Sequence, residues 1–316
     1  MLADGRKTEN EIAKKLGLTK ETVKKNYLKM EEMGIITGAT VHINYKSFGY
    51  KAVAHILISV NPQQADQLTK SLQNMSEIYT VHNGDVKGNV DVIATLRSLE
   101  QLNEIKDQIK REFSIVEMKT AIWTDVKEMN ENLSIVVSKK DAQGIAQKIL
   151  KEPTKNESKP KNSTVDIIDL KIADQLSING RASMEEIGKA IGVSPKTAKK
   201  RYEKLKKYGD LKITIQINPN RLRYQALCVF FIAISNENVS LVIDKILEIP
   251  DVISIMKITG DYDLEIYAMA RDIGQLLSIK EKIGNISGVT KIDLKISRIG
   301  EELSKWPTPR QYISTF

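Results

Sequence analysis

Residues 183–209 read SMEEIGKAIGVSPKTAKKRYEKLKKYG, and residues 8–34, TENEIAKKLGLTKETVKKNYLKMEEMG, align with them without a gap. Each stretch has the form of two short helices joined by a tight turn. Ser183 with Glu186, and Thr8 with Glu11, set a hydroxyl three residues ahead of a glutamate. At that spacing the two side chains satisfy orphan N–H groups of a helix start reciprocally. A second start follows Gly192-Val193 and Gly17-Leu18, with Ser194 or Thr19 as N-cap. Pro195 suits a first helical position, where its missing N–H would have had no partner.

The second helix of each pair has two faces. Ala198, Tyr202, Leu205 and Tyr208 form one apolar stripe, and Val23, Tyr27, Met30 and Met33 form its counterpart. The other face is basic: Lys196, Lys199, Lys200, Arg201 and Lys204 in one copy, Lys20, Lys24, Lys25 and Lys29 in the other. A helix held in this way can enter a DNA major groove, with Ser194 and Thr197, or Thr22, near base edges and the basic side chains near phosphates. The competing reading is a solvated lysine face on an ordinary helical pair. Duplication of caps, turn and basic face together favours DNA.

Around these stretches the 316 residues fall into six segments. Residues 165–218 form one helix-turn-helix unit, opened by a helix at 165–177; residues 1–44 form an incomplete one without that helix, so that either the start is internal to a longer protein, or another segment covers the face, or this copy is degenerate and binds DNA poorly. After each helical pair comes an alternating stretch, 39–44 and 211–218, read as a wing or a linking strand. Residues 45–137 then show strands at 52–60, 78–82, 90–96 and 116–123 and helices at 62–74 and 98–113. Residues 219–300 repeat that order, with strands at 225–234, 252–258, 262–270 and 289–297 and helices at 238–249 and 272–286. This βαββαβ order is that of a ferredoxin-like unit, a sheet with two helices on one face. The other face, bearing Val229, Phe231 and Ala233 or their alternates, needs cover, and two such sheets pairing face to face would supply it. Residues 138–164 carry Ile145, Ile149 and Leu150 in a short helical pattern, then a polar tether from Pro153. Residues 301–316 form a tail. The fold class is therefore α+β: two winged-helix-like helix-turn-helix units, each followed by a ferredoxin-like unit.

A formal charge of +8 favours an anionic partner. The single cysteine, Cys228, lies in the apolar run ALCVFFIAI and reads as strand filling, which leaves no disulfide framework within the chain. No run reaches the roughly 18 apolar residues of a spanning helix, so a cytosolic protein without a membrane partner is expected. The three histidines, His42, His55 and His82, are scattered in sequence, and neither a metal site nor a cofactor is expected from them.

A helix-turn-helix followed by βαββαβ, with Asn179-Gly180-Arg181, IGVSPKT and the turn ITGDYDLEIY in order, resembles the Lrp/AsnC family of feast/famine transcriptional regulators. Taken as a tandem, the resemblance covers nearly the whole chain apart from linker and tail. It implies α/β units that dimerise and assemble further, and amino-acid effectors bound near the turn formed by Gly260, Asp261, Tyr262 and Asp263. A glycine there admits backbone N–H groups to a carboxylate, and an aspartate accepts from an ammonium group; a plain β-turn accounts for the same residues. In the first copy the turn is longer, and Gly88, Asn89 and Asp91 stand as its counterparts, with Asn89 and Val90 in place of an aspartate and a tyrosine. The expected function is a sequence-specific DNA-binding regulator rather than an enzyme, with double-stranded DNA, an amino-acid effector and self-association through the α/β units. The alternatives are an architectural DNA-binding protein of low specificity and an Lrp-like enzyme such as a siroheme decarboxylase.

Overall fold

In the computed structural model, which describes residues 4–84, 87–128, 165–235, 238–300 and 305, the chain gathers into two units. The first holds the helical pairs, within 4–44 and 165–223; the second holds the α/β repeats, within 45–128 and 224–300. The expected tether at 138–164 lies outside the described residues, as does the tail apart from residue 305.

In the first unit, α1 (Glu9–Leu16) and α2 (Lys20–Glu32) are followed by β1 (Ile36–Ile43). The second copy supplies α5 (Ile167–Ile178), α6 (Met184–Ile191), α7 (Pro195–Lys207) and β6 (Leu211–Ile217). Both capping boxes are formed, at Thr8 with Glu11 and at Ser183 with Glu186. Gly17 and Gly192 close α1 and α6 at φ 67° and 76°, the left-handed conformation that glycine adopts without a Cβ penalty. The alternating stretches pair with each other: β1 and β6 form an antiparallel ribbon centred on Thr40 opposite Thr214. Of the two roles considered for them, they take that of a linking strand.

Helix α5 buries Leu170, Ile172, Ala173 and Leu176 on a broad face that packs against α6, α7 and β1. On α7 the stripe residues Ala198, Tyr202 and Leu205 are buried. In the first copy Val23 is buried, but Leu16, Leu18 and Met33 are exposed.

The second unit contains β2 (Ala52–Val60), α3 (Ala65–Gln73), β3 (Ile78–Asn83), β4 (Asn89–Leu96), α4 (Glu100–Glu112) and β5 (Ile115–Glu128). Its second repeat is β7 (Ala226–Ile234), α8 (Val239–Leu247), β8 (Val252–Thr259), β9 (Leu264–Ala270), α9 (Ile273–Gly284) and β10 (Val289–Arg298). Each repeat has its own core between sheet and helices, built on Ile56, Leu68, Leu96 and Ile105 in one and on Phe230, Ile243, Ile266 and Ile279 in the other. Cys228 sits in the latter core, and burial pushes its thiol up to about 11.

Two separate sheets were the expectation; the structure joins them. A single sheet runs β10-β7-β9-β8-β5-β2-β4-β3. The reason lies in β5, which extends past the expected end at 123 because its last residues hydrogen-bond to β8, with Val126 opposite Met256. The helix-free faces nevertheless cover each other: Val229, Phe231, Met256 and Ile258 pack with Leu57, Ala121, Trp123 and Val126.

Candidate nucleic-acid interface and ligand cavity

The N-termini of α2 and α7 are built alike. Thr19 Oγ1 and Ser194 Oγ accept from the amides of Thr22 and Thr197, and the paired hydroxyls lie 2.9 and 2.8 Å apart. These caps hold Thr22 and Thr197 at the opening of each helix, where the orphan N–H groups carry the positive end of the helix dipole. Lys20, Lys24, Lys25 and Lys29 on α2, and Lys196, Lys199 and Lys200 on α7, are exposed. Arg201 differs from them. Its guanidinium donates to Asp166 at 2.6 Å and to Asp169 at 3.4 Å, and Lys204 lies 3.8 Å from Asp169. Asp166 caps α5 through the amides of Ile168 and Asp169, so Arg201 serves to bind α7 to the start of α5. Asp169 is fully buried, and that burial pushes its carboxyl up despite the neighbouring cations.

The two helix pairs are tied by exchanged contacts at the Gly-Arg dipeptides. Gly5 N–H donates to Ile213 O, and Gly180 N–H donates to Ala39 O, so each dipeptide adds to the strand of the other copy. Arg6 Nε donates to Gly180 O at 2.8 Å and Arg181 Nε to Gly5 O at 2.9 Å. Thr40 Oγ1 reaches Ser177 O at 2.9 Å, anchoring the end of α5 on the ribbon. None of these arginines is marked by charge periodicity; the signal available in the sequence is the recurrence of Gly-Arg ahead of both capping boxes.

In the α/β unit the turn residues separate into different roles. Gly260 has φ 129°, a conformation that favours glycine, and a Cβ there would lie 3.8 Å from Thr120 O. Asp263 Oδ2 accepts from Ile234 N–H at 2.7 Å and so closes the end of β7. Tyr262 hydroxyl donates to Asp293 and accepts from Lys291 Nζ at 2.8 Å. Asp261 and Tyr262 line a cavity of about 340 Å³ together with His55, Lys119, Phe231 and Lys295. The volume is at the lower end of ligand pockets.

The first-copy counterparts fall elsewhere. Aligning β2 with β7 end to end matches Leu57 with Phe231, and these face Asp91 and Glu265 respectively. Asp91 thus corresponds to Glu265 and Asn89 to Asp263, two places from the pairing read off the sequence, because strand register rather than turn spelling sets the equivalence. Asn89 accepts from Ser59 Oγ at 2.9 Å, and a Cβ at Gly88 would lie 2.6 Å from Val60 O. Asp85 and Val86 of that longer turn lie outside the described residues.

Asp91 and Glu265 belong to a chain of charges that is buried at His55 and Glu265 and half-buried at Asp91 and Lys295. His55 Nδ1 lies 2.7 Å from Glu265 Oε1, its Nε2 lies 3.9 Å from Asp91, and Lys295 Nζ donates to Asp91. Trp123 Nε1 donates to Glu265 at 2.9 Å. Burial pulls the imidazole down, but Glu265 together with Asp91 outweighs it and holds His55 at about 9. His42 lies on β1, and His82 Nε2 meets Thr80 Oγ1 on β3 at 2.8 Å. No helix among the described residues is long and apolar enough to cross a membrane.

Residues 165–206 match the AsnC-type helix-turn-helix domain, and residues 227–297 match the Lrp/AsnC ligand binding domain. Residues 1–37 match a winged helix-turn-helix DNA-binding domain. The HTH-type transcriptional regulator FL11 of Pyrococcus furiosus is 30% identical over 144 residues, which cover 44% of this chain and 95% of that protein. The HTH-type transcriptional regulator Ptr1 of Methanocaldococcus jannaschii is 31% identical over 113 residues, covering 35% of this chain and 76% of that one. Among solved structures, the siroheme decarboxylase NirDL superposes with a TM-score of 0.58 at 13% identity, covering 94% of this chain and 90% of that one. That likeness is of fold alone.

Proposed function

Because the chain belongs to the Lrp/AsnC family of helix-turn-helix transcriptional regulators, we propose that it is a sequence-specific DNA-binding regulator in which one chain presents two recognition helices, α2 and α7. The observation that carries this reading is the exposure of two equivalently capped basic helices within one unit, held by the β1–β6 ribbon. Lys24, Lys25, Lys199 and Lys200 contact phosphates, while Thr22 and Thr197 lie toward base edges. Phosphate contacts supply most of the affinity, which therefore falls steeply with salt.

The α/β unit binds a small effector of the amino-acid class. A cavity lined by both Lys119 and Asp261 suits a zwitterion, with the carboxylate toward the lysine and the ammonium toward the aspartate. Gly260, which carries no side chain, lets backbone N–H groups come close to such a carboxylate.

The test is binding to the DNA upstream of the protein's own coding sequence, against unrelated DNA of equal length, over a salt series and with and without pooled amino acids. Preference for the upstream fragment that the pool alters supports the full reading. Equal binding to both fragments favours an architectural protein, and no binding at low salt removes the regulator.

A further inference from the structure

Each recognition surface occurs once per chain, and the two are not the same. Aligned without a gap, α2 and α7 share Lys24 with Lys199, Lys25 with Lys200 and Thr22 with Thr197. They differ one place before the shared threonine, where α2 carries Glu21 and α7 carries Lys196. Both residues lie in the first turn of their helices and both are exposed. This is the turn that meets base edges when a recognition helix lies in the major groove. A carboxylate there accepts from the N4 amino group of cytosine, and a lysine donates to O6 and N7 of guanine. A further difference is Asn26 against Arg201, whose guanidinium is held by Asp166.

The linkage between the two helices removes the freedom to choose partners. Thr40 pairs with Thr214 at the centre of the ribbon, Arg6 bonds to Gly180 and Arg181 to Gly5. The α2 surface is therefore presented beside the α7 surface of the same chain. A two-fold symmetric protein reads two copies of one half-site; this unit carries two different readers.

We propose that the DNA site of one chain is non-palindromic, made of two unlike half-sites, with Glu21 of α2 selecting cytosine and Lys196 of α7 selecting guanine at corresponding positions. This rests on the regulator reading above and adds what that reading leaves open, the symmetry of the target.

The experiment is selection of bound sites from random double-stranded DNA by the full chain. The selected site and two symmetrised versions, each carrying one half-site twice, are then compared at one salt concentration for wild type, Glu21→Lys and Lys196→Glu. The selected site carries two dissimilar halves, and both symmetrised duplexes bind about tenfold or more weakly, the discrimination of one good base contact. Glu21→Lys recovers about tenfold on the duplex that repeats the α7 half-site, relative to the others. Selection of a palindrome, or equal binding of symmetrised duplexes, overturns the proposal and leaves the regulator reading standing. An equal gain for Glu21→Lys on every duplex, the signature of added charge alone, also overturns it. Failure to bind any DNA at low salt overturns both.

Discussion

Arg6 and Arg181 are exchanged between the repeats: the guanidinium of Arg6 lies 5.0 Å from the ring centroid of Tyr202, and that of Arg181 lies 4.7 Å from the ring of Tyr27. Each tyrosine is on the apolar stripe of its helix, Tyr202 buried and Tyr27 half-buried, so each arginine braces the helix of the other copy. Arg6 also donates to the carbonyls of Gly180 and Ala182 and is the less exposed of the two. Arg6→Ala should destabilise the first unit by about 2 kcal/mol, from a charged hydrogen bond and a cation–π contact, and Arg181→Ala by about half of that. Urea unfolding followed by circular dichroism measures both; equal and negligible effects would remove the bracing role.

Gly180 leaves no room for a side chain. A Cβ there would lie 2.9 Å from both Ala39 C and Thr40 N, backbone atoms that cannot turn aside. Gly180→Ala should cost about 1–3 kcal/mol as an overpacked contact and weaken DNA binding by separating α5 from the ribbon. Gly192→Ala, with no atom within 4 Å but φ 76°, should cost about 1 kcal/mol through backbone strain alone and leave the ribbon intact. Thermal melts of the two variants, beside their DNA affinities, separate these cases.

Lys199→Ala and Lys200→Ala should each lower DNA affinity across all sequences and reduce the steepness of the salt dependence by about one, with little change in stability. Arg201→Ala should behave in the opposite way, because it releases Asp166 and leaves the buried Asp169 with fewer cations. A loss of about 1–3 kcal/mol of stability is expected there, read from chemical unfolding. A salt slope altered by Arg201→Ala as much as by Lys199→Ala would show that Arg201 turns toward DNA.

His55 is held at about 9 in the folded chain against an ordinary value of 6.5. A folded value raised in this way means that His55 stabilises the fold in full below about 6.5 and that the contribution is lost as pH rises through about 9. Unfolding midpoints should therefore fall between those values, and the fall should be smaller in His55→Gln. Because Glu265 is 0% exposed, His55→Ala should cost about 3–5 kcal/mol by leaving a buried carboxylate without its cation. Partial recovery in His55→Ala with Glu265→Gln would identify that charge as the cause.

The helical pairs and the two βαββαβ orders are legible in the sequence because their signals are local: Ser183 with Glu186, Gly192 in a left-handed cap, and the stripe of Ala198, Tyr202 and Leu205 all lie within a few turns of chain. What is not legible depends on partners far away in sequence. The last residues of β5 look like a loop until β8 pairs with them. Arg201 looks like its lysine neighbours until Asp166 and Asp169 come beneath it. Turn spelling matches Gly88 with Gly260, and only the pairing of β2 with β4 and of β7 with β9 matches Asp91 with Glu265. His55, a lone histidine in an apolar strand, gains its meaning from a carboxylate 210 residues on.

The position of His55 in one repeat is held by Val229 in the other, the first opposite Ile93 and the second opposite Tyr267 on the neighbouring strand. In a two-fold dimer any substitution at that place arises twice at once, and an unfavourable neighbour is met twice. Here it arises once. A single tandem chain can thus acquire an ionic lock on one side while keeping an aliphatic contact on the other, and each half drifts under its own constraints while the pairing persists.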